Sequence, residues 1–513
     1  MQKQLPNAVL STTAAILLPA AALFATAHAF AGSPSADVWT HVAGDAARSG
    51  TSPTALRSLF RIRWTAALDA DEMPVSLASP VVGPDTVIVN LRVFEDGLHV
   101  ANRLAAIRRT DGGRAWSAEL EADVLDSWSG AAIDLPNGTA IIGTAAALQA
   151  FHLEDGSEAW RTPLTRSVVN ASPAVSADLH RDGVPANRAF ITDFGFGVAS
   201  LYAVNVDPYH PLHNPLEPGQ IAWSATLPGG SGNSPAYADG RVYVATRGGD
   251  IRAYDARDGG PPLWVRPAVH GFFGGAALRN EAVYAATYNF SGGENNSRLY
   301  KLARDSGAVL WSIACERTDS IPLIAGGRVY LSGGVNGFGS REKVQSFHDL
   351  GASAALAWQT PGPPATALGG WRLQPALAGG LLLAGAPPVT PGTDAYTALA
   401  LLRTDRLPGD PGFLAQSLTG SGGSPAIVRD AVFSIGADGV IAYDVQQAGD
   451  LNCDGLVNNF DIDPFVLAII DPLIYATAFP DCSLAGADLD GDGTVNNFDI
   501  DPFVQRLLEG AAP

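Results

Sequence analysis

Cysteine is scarce in this chain: there are three in 513 residues, and only Cys315 precedes residue 450. No ladder of disulfides can therefore hold the larger part together. Positive charge is also short, with 32 Lys and Arg against 51 Asp and Glu and a net charge of −19. That balance argues against a nucleic-acid partner and against adhesion to anionic lipid. Charged residues make up 16% of the chain and hydrophobic residues 47%, which is too apolar for a disordered protein. Beyond residue 31 no apolar run is long enough to span a bilayer. Turn formers, by contrast, are abundant: 56 Gly and 36 Pro are too many for a helical bundle.

The first thirty residues carry the one sustained apolar run, from Ala14 to Phe24, placed after Lys3. It leads into Ala27-His28-Ala29, with Ala29-Phe30-Ala31 as a second small-x-small site. This predicts a secretory signal peptide over residues 1–31 and an exported mature protein that is periplasmic, cell-surface or extracellular. Pro19 and the shortness of the run argue against a membrane anchor.

Between Trp39 and Asp444 one pattern recurs. Its clearest copy is Ser234-Pro235-Ala236-Tyr237, Asp239-Gly240, Arg241-Val242-Tyr243-Val244, Ile251-Arg252-Ala253-Tyr254-Asp255, Asp258-Gly259-Gly260 and Trp264. Short runs alternating at period two, separated by Gly, Asp or Pro, predict a meander of antiparallel strands. Eight starts can be followed: Ser79-Pro80, Ser129-Gly130, Ser172-Pro173, Ser234-Pro235, Gly274-Gly275, Ile321-Pro322, Gln374-Pro375 and Ser424-Pro425. Trp64, Trp116, Trp160, Trp223, Trp264, Trp311 and Trp358 end successive units, and Phe413 is expected at the eighth position. A four-stranded sheet with two apolar faces cannot bury them alone, so the units are expected to stack radially. The last unit stops at Asp444 without an outer strand, and Phe60-Arg61-Ile62-Arg63-Trp64 precedes any full unit. That segment is the expected missing strand, so the ring should close with strands from both ends. The fold class expected is all-β, an eight-bladed β-propeller of four-stranded antiparallel blades over residues 36–447.

The opening Trp39-Thr40-His41-Val42-Ala43-Gly44-Asp45-Ala46-Ala47-Arg48-Ser49-Gly50 and the Ala-x-Asp…Gly…Trp run from Ala253 to Trp264 resemble propellers of the pyrroloquinoline-quinone-type repeat. One branch of that superfamily comprises quinone-dependent dehydrogenases. Another comprises non-catalytic scaffolds such as the outer-membrane assembly propeller. The dehydrogenase resemblance would imply an adjacent Cys-Cys pair, a Glu/Asn/Asp calcium set and often a Cys-x-x-Cys-His haem site. With Cys315 as the sole propeller cysteine, both cysteine features are missing, so pyrroloquinoline quinone (PQQ) is not expected as a cofactor. Nor is there a phosphate-cradling Gly-rich loop, a G-x-S-x-G elbow or an H-E-x-x-H helix. No catalytic and no cofactor-binding residue is assigned. Cys315 is expected to be an inert buried thiol. His210-Pro211-Leu212-His213 is expected in a loop insertion. The Gly/Asn-rich stretches Phe290 to Asn296 and Gly333 to Gly339 are expected as hairpin turns, with a polar ligand rim as the alternative.

The last 66 residues, 448–513, hold twelve carboxylates against one cation, Arg506. Residues 450–461 and 488–499 repeat one register, and Val457 to Val466 is identical to Val495 to Val504. Oxygen side chains fall at positions 1, 3, 5, 9 and 12, with Gly at 6, the spacing of a calcium loop in which alternate residues turn inward. The ligands expected are Asp450, Asn452, Asp454, Leu456 (carbonyl), Asn458 and Asp461 for the first ion. For the second they are Asp488, Asp490, Asp492, Thr494 (carbonyl), Asn496 and Asp499. Four carboxylates in the second loop against three in the first predict tighter binding at the second.

With Asp rather than Glu at position 12, this tail resembles a type I dockerin, the calcium-dependent module that plugs into cohesins of polysaccharide-degrading assemblies. The resemblance implies a small α-helical calcium-binding domain over residues 448–513 and a cohesin-like or other surface protein as partner. Pro464 and Pro502 depart from that pattern, so Asp463 and Asp501 are the expected N-caps, with the prolines at the first helical position. No helix is expected ahead of either loop. The residues facing the partner would be Asn459-Phe460 and Asn497-Phe498, which differ from the usual small hydroxyl residues. Export favours a Cys453–Cys482 disulfide over two free thiols.

Together these features predict an exported, non-catalytic binding or scaffold protein. Its propeller face would take a protein or glycan, and its tail would attach it to a complex or cell surface. The alternative is an exported enzyme on the same propeller, either of the polysaccharide-degradation type or a quinone-dependent dehydrogenase. A tail cut off after serving as a sorting signal is a third reading.

Overall fold

The computed structural model describes residues 36–510, apart from 55, 57–58, 76–78, 123–126, 231, 336–339, 362–367, 387–397, 430 and 437–438. The expected signal peptide lies outside the described residues. Among these, eight antiparallel sheets follow one another as blades, and three helices lie at the C-terminal end. Blade 4 is the simplest, running Ala236–Ala238, Arg241–Ala245, Asp250–Asp255 and Gly259–Pro267 from the channel outward. Blade 8 joins Ala426–Ile427, Ala431–Gly436 and Gly439–Val445 to the N-terminal strand Phe60–Ala66. The pairing runs from Phe60 with Val445 to Ala66 with Val440, so the ring closes with strands from both ends, as expected.

The repeated Trp is the contact between blades. Trp64, Trp116, Trp223 and Trp264 lean on the outer turn of the next blade and donate their N–H to a carbonyl there, whereas Trp311 Nε1 donates to Asp349 Oδ1 (3.0 Å) and Trp358 Nε1 is buried without a partner. Trp64 Nε1 donates to Arg109 O (2.9 Å), Trp116 to Leu153 O (2.8 Å), Trp223 to Ala256 O (3.1 Å) and Trp264 to Arg304 O (2.9 Å). The turn glycine is the floor of this contact. Gly307, at φ +65°, would place a Cβ 2.5 Å from the Trp264 ring. Glycine therefore satisfies both the left-handed backbone and the close approach.

The eighth position differs from expectation. In every other blade the Trp pairs with the residue just before a bulge, as Trp311 does with Lys301. In blade 7 the residue so placed, opposite Leu401, is Gln416. Phe413 instead lies in the turn and meets Trp358 of blade 6 edge-on (5.5 Å). Gln416 clamps the N-terminal strand: its Oε1 accepts from Phe60 N and its Nε2 donates to Phe60 O, both at 2.8 Å. A polar side chain suits this one seam because its neighbour is a strand from the far end of the chain.

The blade starts form a second ring around the channel. Gly130 N donates to Ser172 Oγ (2.8 Å), Ser172 N to Ser234 Oγ (2.9 Å), and Gln374 N to Ser424 Oγ (3.0 Å). Inside that ring runs a belt, residues 39–52. It meets blade 1 through the Trp39–Val82 pair, blade 2 through Thr40 O and blade 3 through His41 Nε2. It then meets blades 4 and 5 through Ala46 O and Ala47 O, packs Gly50 on Leu323 of blade 6, and pairs Thr51–Ser52 in parallel with blade 7. His41 Nε2 accepts from Val175 N, so the ring is neutral, and burial holds its pKa well below the usual histidine value.

Helix α1 spans Ile462–Ile470, α2 Pro472–Ala478 and α3 Ile500–Gly510. The expected N-caps are corrected here. Single 3-10 turns, Asn459–Asp461 and Asn497–Asp499, lead directly into α1 and α3, so Asp463 and Pro464 already lie in the first turn of α1. A proline is tolerated there because the first four N–H groups of a helix have no intrahelical partner anyway. The absence of any helix before the second loop is also corrected: α2, capped by Asp471 through Ile474 N, and the turn Leu484–Ala487 precede it. Phe465 of α1 stacks on Phe503 of α3 at 4.0 Å, joining the two duplicated halves.

Candidate functional site

Two constellations stand out, one at the channel mouth and one in the acidic tail. The mouth is built from connections at one end of the blades, the loops leading to inner strands and those joining the second and third strands. Trp371, before blade 7, lies 6.0 Å from Trp128, before blade 2, and 5.6 Å from Tyr288 of blade 5. Tyr288, Phe290 and Phe273 are mutually within 5.0 Å. Three guanidinium groups lie on these rings. Arg372 is 4.3 Å from the centre of Trp128 and 4.0 Å from that of Trp371. Arg247 lies 4.3 Å from Phe273 and 5.2 Å from Phe194, while Arg317 is 5.8 Å from Tyr288. Phe194 in turn touches Phe196, whose side chain is 83% exposed. A continuous arc of rings and cations thus crosses the mouth from blade 3 to blade 2. Each stacked guanidinium is held by the ring quadrupole, worth about 0.5–2 kcal/mol.

Asp319 lies within this arc, with its Oδ1 buried and without a hydrogen-bond partner. Burial pushes its carboxyl up to about 7, against the pull of Arg372 and Arg247. A carboxyl raised in the folded state contributes stability below its ordinary value, and that contribution is lost as pH climbs toward 7. Asp319→Asn should therefore flatten the fall in thermal midpoint between pH 4 and pH 7 and leave the protein more stable than the parent at pH 8. A melting series across that range checks it; parallel curves for the two proteins would refute it. Below the arc lies a cavity of about 30 Å³, lined by Val42 of the belt with Ser172, Ser234, Asp319 and Gln374. Drug-sized ligands occupy about 300–1,000 Å³, so this space suits water.

Neither Trp128 nor Trp371 was singled out from sequence as a functional residue. The signal was there, because both are left over once the repeat has claimed seven of the ten Trp. Phe290 sits in one of the stretches expected as hairpin turns, and that loop contributes both a turn and a ring to the mouth. In the other stretch, residues 336–339 lie outside the described residues. His210 and His213 lie in the expected loop insertion with rings 5.0 Å apart, and His213 Nδ1 is 3.1 Å from Asp182 in the turn of the hairpin His180–Pro185. Cys315 is buried, and burial pushes its thiol well up, so it is unreactive.

In the tail, the second loop brings carboxylate oxygens of Asp488, Asp490 and Asp492 within 4.8 Å of one another. Asp499 is buried, with Oδ1 accepting from Leu489 N (2.7 Å) and Asp490 N (3.1 Å), and Oδ2 from Asn496 N (2.9 Å). The first loop repeats this. Asp461 Oδ1 accepts from Leu451 N (2.7 Å) and Asn452 N (3.0 Å), and Oδ2 from Asn458 N (2.9 Å). Asp450 is 1% exposed; its Oδ2 accepts from Gly455 N (3.0 Å), and its Oδ1 has no partner. Asn452 and Asp454 bond to each other (3.0 Å), and Asp454 Oδ1 accepts from Leu456 N (2.9 Å). Asn458 and Asn496 cap the exit turns through Phe460 N and Phe498 N, and the amide of Asn496 also donates to Thr494 O (3.1 Å). The donor set, all oxygen, and the orphaned Asp450 oxygen fit a hard divalent cation. The expected partner-facing side chains, Phe460 and Phe498, point outward on equivalent turns. Cys453 and Cys482 are disulfide-bonded.

The eight sheets define an eight-bladed β-propeller. A family profile described as outer membrane protein assembly factor BamB matches residues 214–269. BamB from Moraxella catarrhalis superposes with a TM-score of 0.53 at 16% identity, over 75% of this chain and 97% of that one. Quinohemoprotein alcohol dehydrogenase from Comamonas testosteroni superposes with a TM-score of 0.54 at 13% identity, over 80% of each chain. A europium-containing methanol dehydrogenase does so with 0.53 at 12%, over 80% of this chain and 89% of that one. A search of curated proteins gives no match. At these identities the likeness shows the fold, which scaffolds and dehydrogenases share. Among the described residues, no helix is long and apolar enough to cross a membrane.

Proposed function

We propose that this chain is an exported, non-catalytic binding protein whose channel mouth receives a protein partner, and whose dockerin-like tail, residues 448–513, binds two calcium ions and attaches it to a cohesin-like or other surface protein. The observation that carries the first half is the aromatic–arginine arc over a closed channel. Such a surface joins wide apolar contact to arginines already held against aromatic faces, the composition of protein-binding hot spots. The cavity under the arc, at about 30 Å³, suits water and not a bulky ligand, so the arc itself is the surface offered to a partner. The scaffold BamB and the dehydrogenases share the ring, so the mouth, not the fold, discriminates between them.

Capture of envelope or secreted proteins of the source cell on the immobilised full chain tests this. Trp371→Ala together with Arg372→Ala should weaken capture at least ~10-fold, a loss of about 1.4 kcal/mol. Retention by a glycan array in place of protein, or turnover of alcohols on addition of quinone and calcium, would overturn it. For the tail, calorimetric titration should give two sites. Asp492→Ala should remove the tighter one and Asp454→Ala the weaker.

A further inference from the structure

The first acidic loop is built into the seam that closes the ring. The N-terminal strand Phe60–Ala66 is the outermost strand of blade 8, and the tail lies along its beginning. Gln446 N donates to Leu59 O (3.0 Å), and Ile62 N donates to Asp481 O (3.1 Å). Between those points Arg61 reaches three ways. Its Nε pairs with Asp444 Oδ1 of the neighbouring strand (2.9 Å), and its Nη1 donates to Cys453 O and lies 3.7 Å from Asp450 Oδ2. Asp450 and Cys453 are positions 1 and 4 of the first loop. Gln446, buried at the end of blade 8, ties the same elements together. Its Oε1 accepts from Ser483 N (2.7 Å) and its Nε2 donates to Asp450 O (2.9 Å). The Cys453–Cys482 disulfide then joins the two tail segments that touch the strand. Among the described residues, no hydrogen bond or ion pair joins residues 488–499 of the second loop to the propeller strands.

We propose that a calcium ion in the first loop acts as the clasp of the propeller, coupling metal binding to the pairing of Phe60–Ala66 in blade 8, while the second loop binds its ion without that coupling. This rests on the calcium reading above. The physical basis is that Cys453 O and Asp450 reach Arg61 only while the first loop keeps its shape. Asp450, Asp454 and Asp461 lie in one loop, and their mutual repulsion opposes that shape until a cation is present. Asp450 Oδ1, buried and without a partner, is the oxygen that the ion would satisfy. Opening of the seam would expose the loop and release the ion, so the ion must slow the opening.

Hydrogen exchange of the full chain, read at amides of residues 60–66 and 439–445 with calcium or chelator, tests the clasp. At calcium ~100 times its dissociation constant, exchange there should slow by roughly 10–100-fold. Asp492→Ala should keep that protection, and Asp454→Ala should lose it. Arg61→Ala should still bind two ions, by calorimetry, with exchange at 60–66 no longer sensitive to calcium. Two ions bound with unchanged exchange at the seam in the parent protein would overturn the clasp and leave the calcium reading intact. No calcium bound at either loop would overturn both.

Discussion

Arg48→Met should destabilise the whole propeller by about 3–5 kcal/mol, the cost of leaving the partners of a buried charged group unpaired. Arg48 is fully buried in the belt. Its Nε donates to Pro235 O (3.0 Å), Nη1 to Val42 O (2.9 Å), and Nη2 to Ser172 O and Pro173 O (both 2.8 Å). One guanidinium therefore ties the belt to the blade starts of blades 3 and 4. Methionine keeps most of the volume but leaves four carbonyls in a closed interior without donors. The buried Asp45, which also feels this cation, would lose its counter-charge. Urea unfolding should show a lower midpoint at unchanged slope, because the surface exposed on unfolding is the same. Arg48→Lys should recover only part of the loss, since a single ammonium cannot span four carbonyls. A midpoint within error of the parent for the methionine variant would refute the belt's role.

Trp264→Ala should cost a similar amount, about 3–5 kcal/mol, through lost burial and the cavity left behind. The indole is 8% exposed, packs on Tyr243 at 6.0 Å, covers Gly307 and donates to Arg304 O. Gly307→Ala should also destabilise, because its Cβ would enter the ring and its backbone is left-handed. In Trp264→Ala the steric part of that penalty disappears, so the double variant should be less destabilised than the sum of the two singles. Coupling of this kind is expected for residues in contact, and a double-mutant cycle measures it. Strict additivity would mean that the two residues do not support each other across the blade seam.

Much of this was legible because most blades follow the same local rule. A Trp opposite the residue before a bulge, a turn glycine and a start rich in Ser, Pro and Gly recur at a readable period, and a strand without a partner at one end answers a gap at the other. Phe413 was misplaced because spacing alone cannot locate a bulge, whereas the register puts Gln416 opposite Leu401. Asp463 was the expected cap because Pro464 reads as a helix start. The 3-10 turns that lead into α1 and α3 depend on Asp461 and Asp499, whose carboxylates collect backbone N–H groups nine and ten residues back.

The number of blades, the two-ended closure and the doubled acidic register follow from the order of side chains alone, since each is a periodic or local property. The packed fold, by contrast, is what runs residues 39–52 as a belt inside the ring, gathers Trp128, Trp371 and three arginines at its mouth, and brings Arg61 to the first loop. Those contacts join residues up to about 390 positions apart, and no period or motif connects them. They come into existence when the blades stack and bring loop ends from different repeats to one rim.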